Sequence, residues 1–273
     1  MTISVVIPVL NEERHLPNAL QQLVGMGFEE IIVVDGGSQD RTREIAAAHS
    51  PLSPHRDPLH SLEGAPIAGT GDPLHPQEQR VPSKNAMGAP EQWVPVPRFT
   101  VLTAPPGRAS QMNAGAAAAR SEILLFLHAD TSLPGEARAE IEGALQEVSC
   151  VGGRFDVRFE RDAGVGWLVS RLMNLRSRLT GICTGDQAIF VRRSVFERLG
   201  GFADLPLMED VQFSRRLKAT GRVAALRAKV VTSYRRWDTY GPIRTILLMW
   251  SLRLLYWLGV SPRRLAHLYG HVR

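Results

Sequence analysis

The sequence predicts an α/β fold with a mainly parallel central sheet and flanking helices, and three stretches carry that prediction. The first is "ISVVIPVLNEE" at 3–13, a β-branched run closed by Pro8, after which Leu16, Leu20 and Leu23 recur at helical spacing. The second, "EEIIVVDGGSQD" at 29–40, repeats the order of buried strand, glycine turn and helix start. The third, "LLFLHADTSL" at 124–133, runs four apolar residues straight into His128 and Asp130. Strands followed by crossover helices pair in parallel, which points to one sheet covered on both faces.

The elements follow in order. Asn11 is a good N-cap for the first helix, with Glu12 and Glu13 in its first turn. The second helix is expected to start near Ser38. Residues 51–98 hold ten of the chain's 18 prolines with scattered His, Gly and Ser, which predicts a disordered, Pro-rich surface insertion. Its His55, His60 and His75 match no metal-ligand spacing. "RFTVLTA" resumes the sheet, and the Ala-rich "PPGRASQMNAGAAAARSE" predicts a helix. "EARAEIEGALQEV" reads as an amphipathic helix. In "GRFDVRFERD" the residues Phe155, Val157 and Phe159 alternate with Arg154, Asp156, Arg158 and Glu160, which predicts a strand with one solvated face and hence a mixed sheet. Residues 1–232 are expected to form the main domain and 233–273 a C-terminal helical extension.

Composition narrows the function classes. With 44% hydrophobic residues, 273 residues can bury a sizeable core. A formal charge of +5 and a pI near 9.7 favour anionic partners. There is neither a basic block interleaved with aromatics nor a zinc-finger spacing, so nucleic acid is not expected as a partner. Cys150 and Cys183 are the only cysteines, and no charged and apolar leader precedes Ile3, so a reducing cytoplasm is expected. The apolar stretch from Ile246 to Val260 is broken by Arg253 and falls short of the roughly 20 residues a spanning helix needs. The tail combines Ile246, Leu247, Trp250, Leu254 and Trp257 with Arg244, Arg253, Arg263 and Arg264. Such a helix can pack on its own domain, pair with another subunit, or lie peripherally on an anionic membrane, and the oligomeric state stays open.

Ligands of parallel sheets bind at the carboxyl ends of the strands. Asp35 and Asp130 each follow an apolar strand directly and should face one crevice, where the loop bearing Asn11 and Glu12 also opens. Either acid could instead cap the next helix. Arg108 follows Gly107 at a helix start, where free amides attract phosphate. Glu209 and Asp210 begin a helix whose apolar positions include Val211, Phe213 and Leu217. Two acids there either simply suit the helix dipole or supply a general base, which the same dipole keeps ionised.

Taken together, "VVIPVLNEE", "VVDGGSQD", "GRASQMNAGAAAARSEILLFLHAD" and "GDQAIFVRRSVFERLGGF" leading into "MEDVQFSRRL" resemble family 2 glycosyltransferases of the GT-A fold, the nucleotide-diphospho-sugar transferase fold. The resemblance covers nearly the whole chain outside the Pro-rich insertion. "FLHADT", "GDQAIF" and "LLYWLGVSPRRLAHLYG" look most like the bacterial subgroup named radical-SAM/selenodomain-associated transferase 2, which includes proteins linked to arsenosugar biosynthesis.

The resemblance implies an inverting hexosyltransferase-like enzyme with a nucleotide-sugar donor, a UDP-sugar being favoured, and Mn2+ or Mg2+ as cofactor. Asp130 matches the second acid of the family's Asp-x-Asp motif and would be the metal's side-chain ligand. The first acid is His128 here, which leaves it as a ribose or phosphate contact, a metal ligand or a structural residue. An imidazole ligand would favour manganese. Asp35 matches the acid that hydrogen-bonds the nucleotide base, with Gly36 in place of the usual second Asp. Pro8, Asn11 and Glu12 would border the donor, and Arg108 would meet the diphosphate. Asp186 would orient sugar or acceptor, or else only form its turn. Asp210 would be the general base for an acceptor hydroxyl, and Glu209 would position the loop or the acceptor. Arg236 and Trp237 in "SYRRWDTYG" would close over diphosphate and acceptor, but the leading Gln of processive members is absent, so a polymerising enzyme is not expected. The acceptor, a small molecule or a lipid, stays open. One rival is a catalytically silent GT-A domain that binds sugar as a scaffold, motivated by His128. Another is a nucleotidyltransferase, disfavoured because "PVLNEE" stands where its Gly-rich basic loop should be.

Overall fold

A computed structural model describes residues 1–49, 80–82 and 93–270. The elements are β1 (Ile3–Val9), α1 (Leu16–Val24), β2 (Glu30–Asp35), α2 (Thr42–Ala48), β3 (Arg80–Pro82), β4 (Trp93–Pro95), β5 (Arg98–Thr103), α3 (Arg108–Ala118), β6 (Ile123–Phe126) and β7 (Thr131–Ser132). They continue with α4 (Ala137–Leu145), β8 (Cys150–Phe159), α5 (Gly164–Thr180), β9 (Ile189–Arg192), α6 (Arg193–Arg198), α7 (Glu209–Leu217), β10 (Arg222–Thr232), α8 (Arg235–Tyr240), α9 (Pro242–Trp257) and α10 (Pro262–Gly270). Most of the predicted insertion at 51–98 lies outside the described residues, as do His55, His60 and His75; β3 and β4 pair there as a short antiparallel ribbon.

Eight strands form one mixed sheet in the order β5-β2-β1-β6-β9-β8-β10-β7. The half containing β5, β2, β1 and β6 is parallel throughout, and β9 runs antiparallel between β6 and β8. β1 and β2 are buried on both faces, as their continuous apolar runs require. One core layer lies under α1 and α4, and a second lies on the opposite face under α3, α6 and α7. Gly115 lets α3 approach β1 closely, because a Cβ there would collide with Val6. A third, smaller core joins Leu252 of α9 and Leu265 of α10 to Met208. Cys150 and Cys183 are buried and unpaired.

Three local readings of the sequence need correction. Asn11 does not cap α1, which starts at Leu16 after His15. Instead Asn11 takes a left-handed conformation (φ 55°), and its loop locks onto the loop after β2. Asn11 N donates to Ser38 Oγ, Glu12 N to Thr42 Oγ1, and Gln39 N to Asn11 Oδ1, at 2.8–2.9 Å. Bonds between neighbouring loops thus satisfy amides that a first helical turn would have left free. For the same reason α2 begins at Thr42 rather than near Ser38.

The third correction concerns β8, whose charged face is buried at Arg154 and Asp156 and solvated only at its end, at Arg158 and Glu160. Arg154 is 1% exposed, because α5 packs over that face. Asp156 neutralises it, pairing with Arg154 Nη1 and, at 2.7 Å, with Arg178 Nη2 from α5. Asn174 Nδ2 and Oδ1 bond the Val157 carbonyl and amide at 2.9 Å. Alternation of charge therefore marked a buried ionic layer.

Candidate functional site

The carboxyl ends of β1 and β6 open into a cavity of about 450 Å³. Pro8, Glu12, Arg108, His128, Asp130, Asp186, Glu209 and Asp210 all line it, although they come from segments up to two hundred residues apart. Two devices hold the floor in place. Gln111 of α3, buried, donates through Nε2 to Val9 O and Val34 O at 2.8 Å, which clamps the ends of β1 and β2 together. Met208 adopts φ 70° just before α7, an uncommon conformation for a side-chain-bearing residue, and its burial against Leu252 and Leu265 holds it there. This bend turns Glu209 and Asp210 towards the cavity.

The acids and the imidazole are linked. His128 Nδ1 lies 3.3 Å from Asp186 Oδ1, and its other face rests on Gly185, where a Cβ would lie 2.5 Å from Nε2. Gly185 N donates to Asp210 Oδ2 at 3.0 Å. Val211 N donates to Asp210 Oδ1 at 2.7 Å. Ser214 Oγ, bonded to Asp210 O at 2.7 Å, also accepts from Cys183 N at 3.0 Å, so the 183–186 segment is strapped to α7. Glu209 is 6% exposed. Its burial and the adjacent Asp210 raise its pKa above the usual carboxylate value, against the opposing pull of Arg108 and of His128. Desolvation works against the Arg108 cation, yet the fields of Glu209, Asp186, Tyr269 and Asp210 outweigh it and raise its pKa.

The remaining sequence-picked residues fall elsewhere. Asp35 is almost wholly buried and does not line this cavity; its oxygens accept from Gly37 N and Ser38 N at 3.1–3.2 Å. Asn11 is spent on the Ser38–Gln39 loop. Trp237 lines a neighbouring, more apolar groove and packs edge-on against Phe159. Arg236 lies in α8, and its neighbour Arg235 lines the cavity, 3.5 Å from Glu12 Oε1. Sequence reasoning passed over Arg235, Gln111 and Gly185. Only the adjacency of Arg235 to the chosen Arg236 was a signal.

Asp130 is partly exposed and lines both the cavity and the neighbouring groove, and among the described residues its carboxylate has one long contact, 3.5 Å, from Thr131 Oγ1. Among the described residues no three His, Cys, Asp or Glu side chains converge as a ligand set. These donors fit a hard cation that takes one carboxylate and completes its shell with water and ligand phosphates, and do not fit an all-protein cage.

Residues 4–61 match the family model "Glycosyl transferase family 2". Undecaprenyl-phosphate 4-deoxy-4-formamido-L-arabinose transferase of Pseudomonas aeruginosa is 28% identical over 209 residues, 72% of this chain and 49% of that one. An uncharacterised Methanocaldococcus jannaschii protein is 48% identical over 44 residues, 16% of this chain and 18% of that one. The chain spans about half the length or less of these relatives. Among solved structures, Staphylococcus aureus TarS 1–349 in complex with UDP-GlcNAc superposes with a TM-score of 0.57 at 17% identity, covering 85% of this chain and 58% of that one. The mannosyltransferase PcManGT of Pyrobaculum calidifontis, in complex with GDP-Man and Mn2+, gives 0.54 at 16% identity, with coverage of 99% and 69%. Glucosyl-3-phosphoglycerate synthase of Mycobacterium tuberculosis, with Mn2+ and UDP, gives 0.51 at 18% identity, with coverage of 95% and 79%. The chain therefore has the GT-A glycosyltransferase fold and carries the family 2 signature in its N-terminal region.

Proposed function

We propose that this chain is an inverting, metal-dependent glycosyltransferase that moves a sugar from a nucleoside-diphosphate donor, a UDP-sugar being favoured, to an acceptor hydroxyl. The observation that carries this reading is the meeting of Arg108, Asp130, Asp186 and Asp210 in one cavity at the carboxyl ends of β1 and β6. The site residues then divide the work. Arg108 meets the diphosphate at the start of α3, where free amides add to its charge. Asp130 would hold the cation, Mn2+ or Mg2+, which when bound would offset negative charge on the departing diphosphate. Both nitrogens of His128 face protein groups, which favours its role as a positioning contact over that of a second metal ligand. Asp186, beside His128, orients the sugar.

Asp210 receives the proton of the acceptor hydroxyl as that oxygen attacks the anomeric carbon from the face opposite the leaving diphosphate. One displacement of this kind inverts the configuration. Glu209, with its raised pKa, positions the loop. Asp35 contacts the nucleotide base only if the 35–38 turn yields its hydrogen bonds. In this reading residues 1–232 form the transferase unit, 233–273 an extension, and the protein works in the cytoplasm. The likeness to the radical-SAM/selenodomain-associated subgroup belongs to the same proposal and rests on "FLHADT", "GDQAIF" and the tail.

The test follows nucleoside diphosphate release from UDP-, GDP- and dTDP-sugars with Mn2+. One donor class is expected to turn over, and Asp210→Asn should lower the rate by about 100-fold or more, the usual contribution of a general base. Release from no donor by folded protein, or an undiminished rate in Asp210→Asn, would count against the assignment.

A further inference from the structure

Beside the polar cavity lies a second one of about 640 Å³, between α5, α8 and α9. Leu172, Leu175 and Leu179 of α5 form one wall, and Ile246, Met249 and Trp250 of α9 form the other. The same two helices also expose Trp167, Leu168, Leu247, Leu254 and Trp257, with Trp257 78% accessible. Single exposed apolar side chains are ordinary on a protein surface, but an apolar band on both sides of an apolar groove marks a place of contact.

At its inner end the groove holds a pair of cations. Arg176 and Arg253 both line it, close to Asp130 and Asp186, which also face the polar cavity. Among the described residues, Nε and Nη2 of Arg176 are buried with no hydrogen-bond partner. Burial, and next the charge of Arg253, push its pKa down to about 10. Burial lowers Arg253 as well, against the opposing fields of Asp210 and Asp186. Asp210 offsets part of the charge on both groups and Asp186 part of that on Arg253, but among the described residues two buried donors of Arg176 stay unused. Buried donors left unused are costly until an acceptor joins them.

We propose that this groove binds a phosphate-bearing lipid, with the phosphate between Arg176 and Arg253 and the apolar tail along α5 and α9. Guanidinium groups match phosphate geometry with paired donors, and the tail removes water from both apolar walls. Because the phosphate end sits next to Asp130 and Asp186, the lipid enters on the acceptor side, and in that respect the inference rests on the transferase reading. The exposed faces of α5 and α9 would lie at the membrane surface; no described helix is long and apolar enough to cross a membrane.

Farnesyl phosphate, titrated calorimetrically below its micellar concentration, serves as the probe, with farnesol and inorganic phosphate as separate ligands. The parent should bind farnesyl phosphate at least about tenfold more tightly than either control. Arg176→Gln and Arg253→Gln should each weaken binding about tenfold or more, the loss expected for one charged hydrogen-bonding partner. If Arg176→Gln fails to fold, Arg253→Gln together with Arg176→Lys, which keeps the charge but not the paired donors and should still weaken binding, decides the matter. Farnesyl phosphate that does not saturate the parent, or that binds the glutamine variants as tightly, overturns the proposal. UDP with Mn2+ is titrated in parallel. UDP binding without farnesyl phosphate binding removes this inference alone, whereas the reverse removes the donor-site reading and leaves the groove.

Discussion

The two cavities of this protein adjoin at Asp130 and Asp186 and are built by opposite means. The smaller is framed by strand ends of the parallel sheet, and its floor is tied together by Gln111 across β1 and β2 and by the His128–Asp186 contact. The larger lies between two helices, is walled by aliphatic and aromatic side chains, and keeps unsatisfied guanidinium nitrogens at its inner end. The first is a rigid polar frame anchored in the core. The second has a surface that the fold itself does not need to cover. Position and affinity are supplied separately here: the sheet fixes where chemistry would occur, while the helices offer an apolar surface to something outside the chain.

The largest expected effect would break the polar frame at its root. Gly115→Leu places a bulky side chain against Val6 in the core between α3 and β1 and should prevent stable folding; Gly115→Ala should cost about 1–3 kcal/mol in urea unfolding. Next comes Gly185→Ala, which drives a methyl into the His128 ring and displaces the link to Asp186. It should weaken nucleotide binding about tenfold or more. Farnesyl phosphate binding in the groove should change less, and equal losses at both sites would mean that the two cavities are not separate in function.

A third, smaller effect depends on pH. Since the folded state raises the pKa of Glu209 above its ordinary value of 4.5, the folded state holds that proton more tightly than the unfolded chain. The carboxylate therefore costs stability as pH rises from near 4.5 through the raised value, and the whole cost is present above it. Glu209→Gln should unfold at a higher temperature than the parent at pH 7, with the difference shrinking towards pH 4. A constant difference across that range would contradict the origin given for the shift. The smallest effect concerns the groove's rim: Leu254→Ser and Trp257→Ser, at exposed positions, should shift stability by no more than about 0.5 kcal/mol while reducing retention on phosphatidylglycerol vesicles.

Much of the frame was legible in the sequence. Continuous apolar runs made β1, β2 and β6 readable, and the Ala-rich stretch made α3 readable, because burial on both faces or strong helix propensity acts locally. Asp130, Asp210 and Arg108 stood out because each follows or begins such an element. What escaped depends on partners distant in the chain. Arg154 and Asp156 looked solvated because nothing local announces that α5 will cover them. Asn11 looked like a cap because its true partners, Ser38 and Gln39, belong to the next loop. The groove was invisible for the same reason, since its walls on α5 and α9 are about seventy residues apart and meet only in the folded chain.

Nucleotide binding bears most directly on the central claim, that the polar cavity receives a nucleoside diphosphate with a divalent cation at Asp130. Calorimetric titration of UDP, GDP and dTDP, with and without Mn2+, would be made on the parent and on Asp130→Ala. The account predicts binding of one nucleotide class that depends on Mn2+ and is lost, by about 100-fold, in the variant. Folded parent protein that binds none of the three, or an Asp130→Ala variant that binds as tightly as the parent, would contradict it.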